Sequence, residues 1–207
     1  MPVDLKESYN WVSPEHILRM ISYEFLYKFE YIFKLKRGSL VENHIDGSST
    51  MRIIHYPAWD GEVKNGQIRG VKHTDYGSIT LLWRFDHTGG LEIENRETGE
   101  WIDAPVVEYS IVLNVGDMFQ RWSNDTLRST NHRVVNTNIT KARYSMPYFV
   151  DPGRDVMIEN ITNRPPLYQP ISAYDYLKWR LAQSYLDDKY QVNEKVGIEG
   201  KKYIPKE

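Results

Sequence analysis

The sequence predicts a mainly β fold, an antiparallel sandwich or barrel, with an N-terminal helical segment and a C-terminal helix. Three observations carry this. From Met51 onward the apolar residues recur in short alternating runs, with no helical pattern between them, which is how strands of a sandwich or barrel read. Upstream, Leu18, Ile21, Phe25, Phe29 and Ile32 recur at steps of three and four, forming one apolar stripe on a helix. Downstream of a Pro-rich link, Ala173 to Tyr190 reads as a closing helix.

The first helix is expected over 13–37. Ser13 can cap it and Pro14 suits its first turn, while Gly38 can end it. The stretch from Val41 to Thr50 is polar and turn-rich, hence a loop. Strands are then expected at MRIIHY (51–56), SITLLWRF (78–85), GLEIEN (90–95), WIDA (101–104), SIVLNV (110–115), DMFQRWS (117–123), HRVVNT (132–137) and RYSMPYFV (143–150). Turn signals such as Gly89-Gly90, Thr98-Gly99, Gly116-Asp117 and Asn124-Asp125 separate them. The chain divides into a helical segment (1–50), a β core (51–160) and a C-terminal link and helix (161–207), all within one structural domain.

Composition narrows the function. With 207 residues and 41% hydrophobic content, the chain can bury one sizeable core. The net charge is −2, and the densest basic cluster, Lys34 to Arg37, reads as the solvated end of a helix, so nucleic acid is not the expected partner. There are no cysteines, which excludes disulfides, iron–sulfur clusters and thiolate zinc. The start has no apolar leader core, and no apolar run approaches membrane length. A soluble, cytoplasmic protein is expected.

The stretch VKHTDYGSITLLW (71–83) places His73 and Asp75 two residues apart at the mouth of a strand. Alone, such a triplet is two polar residues at a strand end. His132, just before another β run, supplies a third ligand that can return in space. Two histidines and one carboxylate form the facial triad of non-haem Fe(II) enzymes, with open positions for substrate and dioxygen. Further on, Arg143 and Ser145 share one face of a strand. A guanidinium fork beside a hydroxyl makes a carboxylate clamp.

In these motifs the chain resembles the isopenicillin N synthase-like branch of the 2-oxoglutarate/Fe(II)-dependent dioxygenases. The matching pieces are RIIHYP (52–57), HTDYGSITLL (73–82), GGLEI (89–93), WIDAP (101–105), NVGDMFQRWSND (114–125), STNHRVVN (129–136) and RYSMPYFVDP (143–152), with YQPISAYDYLKWR (168–180) similar to the family's closing helix. The resemblance implies a double-stranded β-helix, or jelly roll. It implies iron held by His73, Asp75 and His132, and the distal carboxylate of 2-oxoglutarate on Arg143 and Ser145, with Tyr56 approaching that co-substrate. The implied activity couples decarboxylation of 2-oxoglutarate, with dioxygen, to hydroxylation, desaturation or cyclisation of a small organic substrate.

Two departures from the family pattern stand out. Ile54 occupies a position where many plant relatives carry asparagine. Family members also have a long further segment before the helical region, so the chain reads as a short form or a fragment. An unpaired sheet edge, and self-association through it, are expected on that ground. Two other functions fit the same residues: an Fe(II) oxidase of this fold that does not use 2-oxoglutarate, and a non-catalytic metal-binding jelly roll. Elsewhere, His16 and His87 are expected to be solvated, His55 to pack locally in its strand, and His44 to lie in a polar loop without a partner. Asp117 is expected to bond backbone in a turn, Gly89-Gly90 to meet a backbone requirement, and Trp83 to sit with Arg84 on the barrel wall.

Overall fold

The computed structural model describes residues 7–11, 16–85 and 89–185. Ser13, Pro14 and His87 lie outside the described residues, as do the last five positions of the expected closing helix. The elements run β1 (Glu7–Trp11), α1 (His16–Ile32), α2 (Ser39–Glu42), β2 (Thr50–Tyr56), β3 (Gly70–His73), β4 (Ile79–Arg84), β5 (Leu91–Glu94), β6 (Trp101–Asp103) and β7 (Val112–Val115). They continue with α3 (Asp117–Trp122), β8 (His132–Val134), β9 (Arg143–Val150), β10 (Met157–Ile158), β11 (Ile171–Ser172) and α4 (Ala173–Tyr185).

Two antiparallel sheets form the jelly roll. One has the order β1-β2-β9-β4-β7 and the other β3-β8-β5-β6. Alternation sorts the residues of the larger sheet onto two faces. Met51, Ile79, Leu81, Tyr148 and Val150 pack outward against Leu18 of α1. Ile54 and Leu82 point inward to meet Leu91, Ile93 and Val134 of the smaller sheet. Register fixes who faces whom: Tyr56 pairs with Arg143, and Thr80 pairs with both Phe149 and Asn114.

The stripe on α1 is buried as its spacing requires, with Leu18, Ile21, Phe25 and Phe29 against the sheet. Ile32 departs from it and is 59% exposed at the helix end. Leu26, on the other side of α1, joins a separate core with Leu40, Met118, Phe119, Trp122, Tyr176 and Trp179. A carboxylate organises the join. Glu30, 1% exposed, accepts from the backbone N–H of Gly38 (2.7 Å), Leu40 (2.8 Å) and Val41 (3.2 Å). Bonds to a charged acceptor contribute about 1.5–3 kcal/mol each, enough for three of them to offset the burial of one carboxylate. They also cap α2, which has no side-chain cap of its own.

Two sequence expectations are corrected. DMFQRWS is not a strand: Asp117 to Trp122 is helical, because Met118, Phe119 and Trp122 recur at helical spacing and all enter the helical core. His44 is not a loop residue without a partner. It is 3% exposed, with Nδ1 2.6 Å from the Leu40 carbonyl and Nε2 2.8 Å from Ser78 Oγ. The outermost strand on the β2 side of the larger sheet is β1, which pairs with β2 from Glu7↔His55 to Trp11↔Met51. Two smaller expectations agree with the structure. His55 stacks on Tyr144 at 4.7 Å, and Trp83 packs on the outer-face core.

A carbonyl only accepts, so His44 Nδ1 carries the proton and Nε2 accepts from Ser78. Burial holds this imidazole neutral and lowers its pKa from 6.5 to about 4, against the opposing influences of the Leu40 carbonyl and Glu30. The folded value lies below the unfolded one, so the unfolded chain binds the extra proton between the two. Stability from this group is complete above about pH 6.5 and is lost as pH falls toward about 4, up to about 3 kcal/mol. Urea midpoints across that range should fall with pH, and His44→Gln should flatten the slope; an unchanged slope in the variant would remove His44 as its source.

Candidate metal centre

β3 and β8 pair so that His73 faces His132 directly, with ring centroids 4.2 Å apart. Each ring has its Nδ1 against a backbone carbonyl, Val71 for His73 (2.7 Å) and Thr130 for His132 (3.1 Å). Those contacts put the proton on Nδ1 and leave Nε2 as the ligand atom, the usual way an outer hydrogen bond fixes a ligating tautomer. Asp75 follows two residues after His73 and is 8% exposed. Its Oδ1 lies 3.8 Å from His132 Nε2, while Oδ2 accepts from Asn114 Nδ2 at 2.8 Å. Ligand atoms of His73, Asp75 and His132 all lie within 4.8 Å of one another, and this is the only such group of ligand-type side chains among the described residues. Nitrogen and carboxylate donors without thiolate suit Fe(II) and leave its remaining positions open.

The loop carrying these ligands is fastened from behind. Asp117 N–H donates to the Asp75 carbonyl (2.8 Å), and Met118 N–H donates to the carbonyls of Tyr76 and Gly77 (both 3.1 Å). Gly116 permits this approach, since a Cβ there would sit well inside contact distance of the Gly77 carbonyl oxygen. On the side-chain level, Thr74 Oγ1 donates to Asp117 Oδ2 (3.1 Å), and Arg180 of α4 donates to Thr74 Oγ1 (2.9 Å) and pairs with Asp117 Oδ2 (2.8 Å). Asp117 thus joins an ion pair, where backbone bonding was expected. Burial raises its pKa, and Arg180 opposes the rise.

Arg143, Ser145 and Tyr56 also come together. Arg143 and Ser145 are both 2% exposed. The guanidinium donates from Nη1 to Ser145 Oγ (3.4 Å) and from Nε to the Gly89 carbonyl (3.2 Å), and lies 4.7 Å over the Tyr56 ring. Among the described residues no carboxylate forms an ion pair with Arg143. A buried guanidinium with only neutral partners is set for an anion from outside the protein. A cavity of about 340 Å³ connects the two groups, bounded by His73, Asp75 and His132 and by Tyr56 and Arg143. Its walls include Ile54, Leu82, Leu91, Val112, Val134 and Phe149. That volume falls within the range of small-molecule sites.

A larger cleft of about 740 Å³ lies behind the ligand loop, between Asp117, Arg121, Tyr168, Trp179 and Arg180. None of the three candidate ligands lines it, so size does not mark the chemistry here. Trp83 and Arg84 line neither space. Arg84 instead donates to the carbonyls of Ala104 (2.7 Å) and Pro105 (2.5 Å). Asn114 and Arg180 were not singled out in the sequence. The alternation that puts Asn114 on the face of Val112 was readable, but its partner depends on a pairing that sequence does not reveal.

The fold and site together define a jelly roll with a two-histidine, one-carboxylate cluster and a buried arginine on one cavity. The 2OG-Fe(II) oxygenase superfamily model matches residues 47–152, just over half of the chain, and the protein belongs to that superfamily. It is 36% identical over 167 residues to a 2-oxoglutarate-Fe(II) type oxidoreductase, ppzD, of Metarhizium majus, covering 74% of this chain and 47% of that protein. To the proline hydroxylase buaE of Petromyces alliaceus it is 38% identical over 152 residues, 67% of this chain and 47% of the relative. The chain therefore spans less than half the length of these curated relatives. Among solved structures it resembles a full-length Neurospora crassa protein in complex with alpha-KG, with a TM-score of 0.78 and 32% identity over 86% of this chain and 66% of that one.

Proposed function

We propose that this chain forms the catalytic core of an Fe(II)- and 2-oxoglutarate-dependent dioxygenase that oxidises a small organic substrate. One observation carries the reading: a two-histidine, one-carboxylate cluster and a buried Arg143, bonded to Ser145, open onto a single cavity. Relatives named as 2-oxoglutarate-Fe(II) oxidoreductases and a neighbour with alpha-KG bound support it. In this reading His73 Nε2, Asp75 Oδ1 and His132 Nε2 hold the metal. Asn114 occupies Oδ2, which keeps Asp75 to a single ligand oxygen. Bound Fe(II) would supply the activation of dioxygen, with 2-oxoglutarate leaving as succinate and carbon dioxide as the substrate is oxidised. Arg143 and Ser145 take the distal carboxylate of 2-oxoglutarate, and the Tyr56 ring holds the guanidinium in place. The apolar walls keep water from the reacting carbon. Action on a small molecule in the cytoplasm, away from membranes and nucleic acid, belongs to the same reading. Among the described residues no helix is long and apolar enough to cross a membrane.

Succinate formation by the iron-loaded protein tests the reading as a whole. Oxygen uptake without 2-oxoglutarate would favour the oxidase alternative, and metal binding without either would favour a non-catalytic protein. His73→Ala, Asp75→Ala and His132→Ala should each weaken Fe(II) binding by about tenfold to a hundredfold or more and abolish turnover. Anaerobic calorimetric titration reads the binding, and unchanged affinity in any variant removes that residue from the site.

Arg143→Lys should raise the Kd for 2-oxoglutarate by about tenfold, roughly 1.4 kcal/mol, because lysine keeps the charge but loses the fork. Iron affinity should hold. Parental 2-oxoglutarate affinity in Arg143→Lys or Arg143→Gln would overturn the clamp assignment.

Self-association forms part of the proposal too, through the outer side of β1, along which no described strand pairs. Such an edge templates pairing with another chain. Light scattering should detect a dimer; a monodisperse monomer across a wide concentration range would rule it out.

A further inference from the structure

Asp75 is the candidate ligand that lies outside the strands. β3 ends at His73 and β4 begins at Ile79, so the sheet ladders reach His73 and leave residues 74–78 to other bonds. His73 and Asp75 line the inner cavity, while Thr74, between them, lines the outer cleft together with Asp117 and Arg180. The segment therefore has two sides, one that presents ligands and one that meets α4. Whatever grips the second side determines how the first is aimed.

One side chain meets that outer side at three points. Arg180 donates to Thr74 Oγ1 at 2.9 Å, pairs with Asp117 Oδ2 at 2.8 Å, and lies 4.6 Å over the Tyr76 ring. Thr74 and Tyr76 are the two residues flanking Asp75. Asp117 is the residue whose N–H holds the Asp75 carbonyl, at 2.8 Å. Thr74 Oγ1 closes the figure by donating to Asp117 Oδ2 at 3.1 Å. The guanidinium is planar, with its donors in fixed directions, so it sets the hydroxyl and the carboxylate at a defined angle to each other. Asn114 holds the Asp75 side chain; Arg180 holds the backbone that carries it. A ligand set needs such support, because its atoms must stay within about 0.5 Å of the binding geometry.

We propose that Arg180 is a positioning residue of the metal centre. Through Thr74, Tyr76 and Asp117 it sets the direction in which Asp75 presents its carboxylate, and it makes metal affinity depend on the docking of α4. This inference rests on the reading of His73, Asp75 and His132 as metal ligands. An arginine that only stabilised the fold would lower the stability of the metal-free protein and leave the metal affinity of the folded protein unchanged. A positioning arginine lowers that affinity.

The test is anaerobic calorimetric titration of Fe(II) into the full chain, with the absorption spectrum of the Co(II)-loaded protein as a second readout of ligand geometry. The proteins are the parent, Arg180→Met, Arg180→Lys, Thr74→Val and the double variant Arg180→Met with Thr74→Val. Circular dichroism first establishes that each is folded at the titration temperature. Arg180→Met should weaken Fe(II) binding by about tenfold or more and change the Co(II) spectrum. Arg180→Lys should recover part of the loss, since it restores the charge beside Asp117 but not the fork. Thr74→Val keeps the shape, removes the hydroxyl, and should weaken Fe(II) binding in the same direction. The double variant should lose less than the product of the two single losses, because both changes break one linkage. Parental Fe(II) affinity in folded Arg180→Met or in Thr74→Val would overturn the proposal, as would single losses that multiply in the double variant. If Arg180→Met does not fold, Thr74→Val and Arg180→Lys decide the matter by the same criterion. A parent that binds no Fe(II) would overturn the metal reading itself, and this inference with it, whereas unchanged affinity in the variants overturns this inference alone.

Discussion

The contact on which the site depends is the one between the His73–Asp75 loop and the first turn of α3. Three carbonyls of residues 75–77 accept from the N–H groups of Asp117 and Met118, donors that a helix's first turn leaves without intrahelical partners. One set of bonds therefore satisfies both the helix end and the loop. The arrangement holds the Asp75 carboxylate against Asn114 and the two imidazoles. Its chief steric requirement is glycine at 116, where any side chain would press on Gly77. Arg180 extends the same fastening to α4, so the closing helix is tied to the ligand loop through Thr74 and Asp117.

This dependence explains what the sequence could and could not reveal. That His73, Asp75 and His132 come together was legible because metal chemistry accepts few residue types and because the motifs around them are specific. Arg143 and Ser145 were legible as an i, i+2 pair in a strand whose predicted bounds, 143–150, coincide with the observed ones. Asn114 acquires meaning only from its bond to Asp75 across the fold, and alternation within one strand cannot supply that. The stretch 117–122 was misread because the β-formers on either side suggested another strand. Its apolar residues at 118, 119 and 122 already had the helical step. His44 was misjudged for a related reason: local polarity says loop, but the Ser78 hydroxyl that partners it lies 34 residues away in sequence.

β9 shows how tightly one strand is committed. Arg143, Ser145, Pro147 and Phe149 serve the interior, while Tyr148 and Val150 fill the outer core at 1% exposure each. With neighbours on both edges, it has little room for substitution on either face. β2 shares the barrel wall but contributes a different inward set, Arg52, Ile54 and Tyr56.

The pairing of His73 with His132 carries a mechanical consequence. The two candidate imidazoles belong to adjacent short strands, β3 of four residues and β8 of three, joined by a register irregular between Gly70 and His73. β8 is also held by β5, so β3, the edge strand of that sheet, has few ladder bonds to resist local opening. An ion shared by both rings would act as a clasp across that seam and add its binding free energy to the closed corner alone. Amide exchange in β3 and β8 would then report on metal occupancy, while the helical core around Phe119 exchanged at its own slower rate.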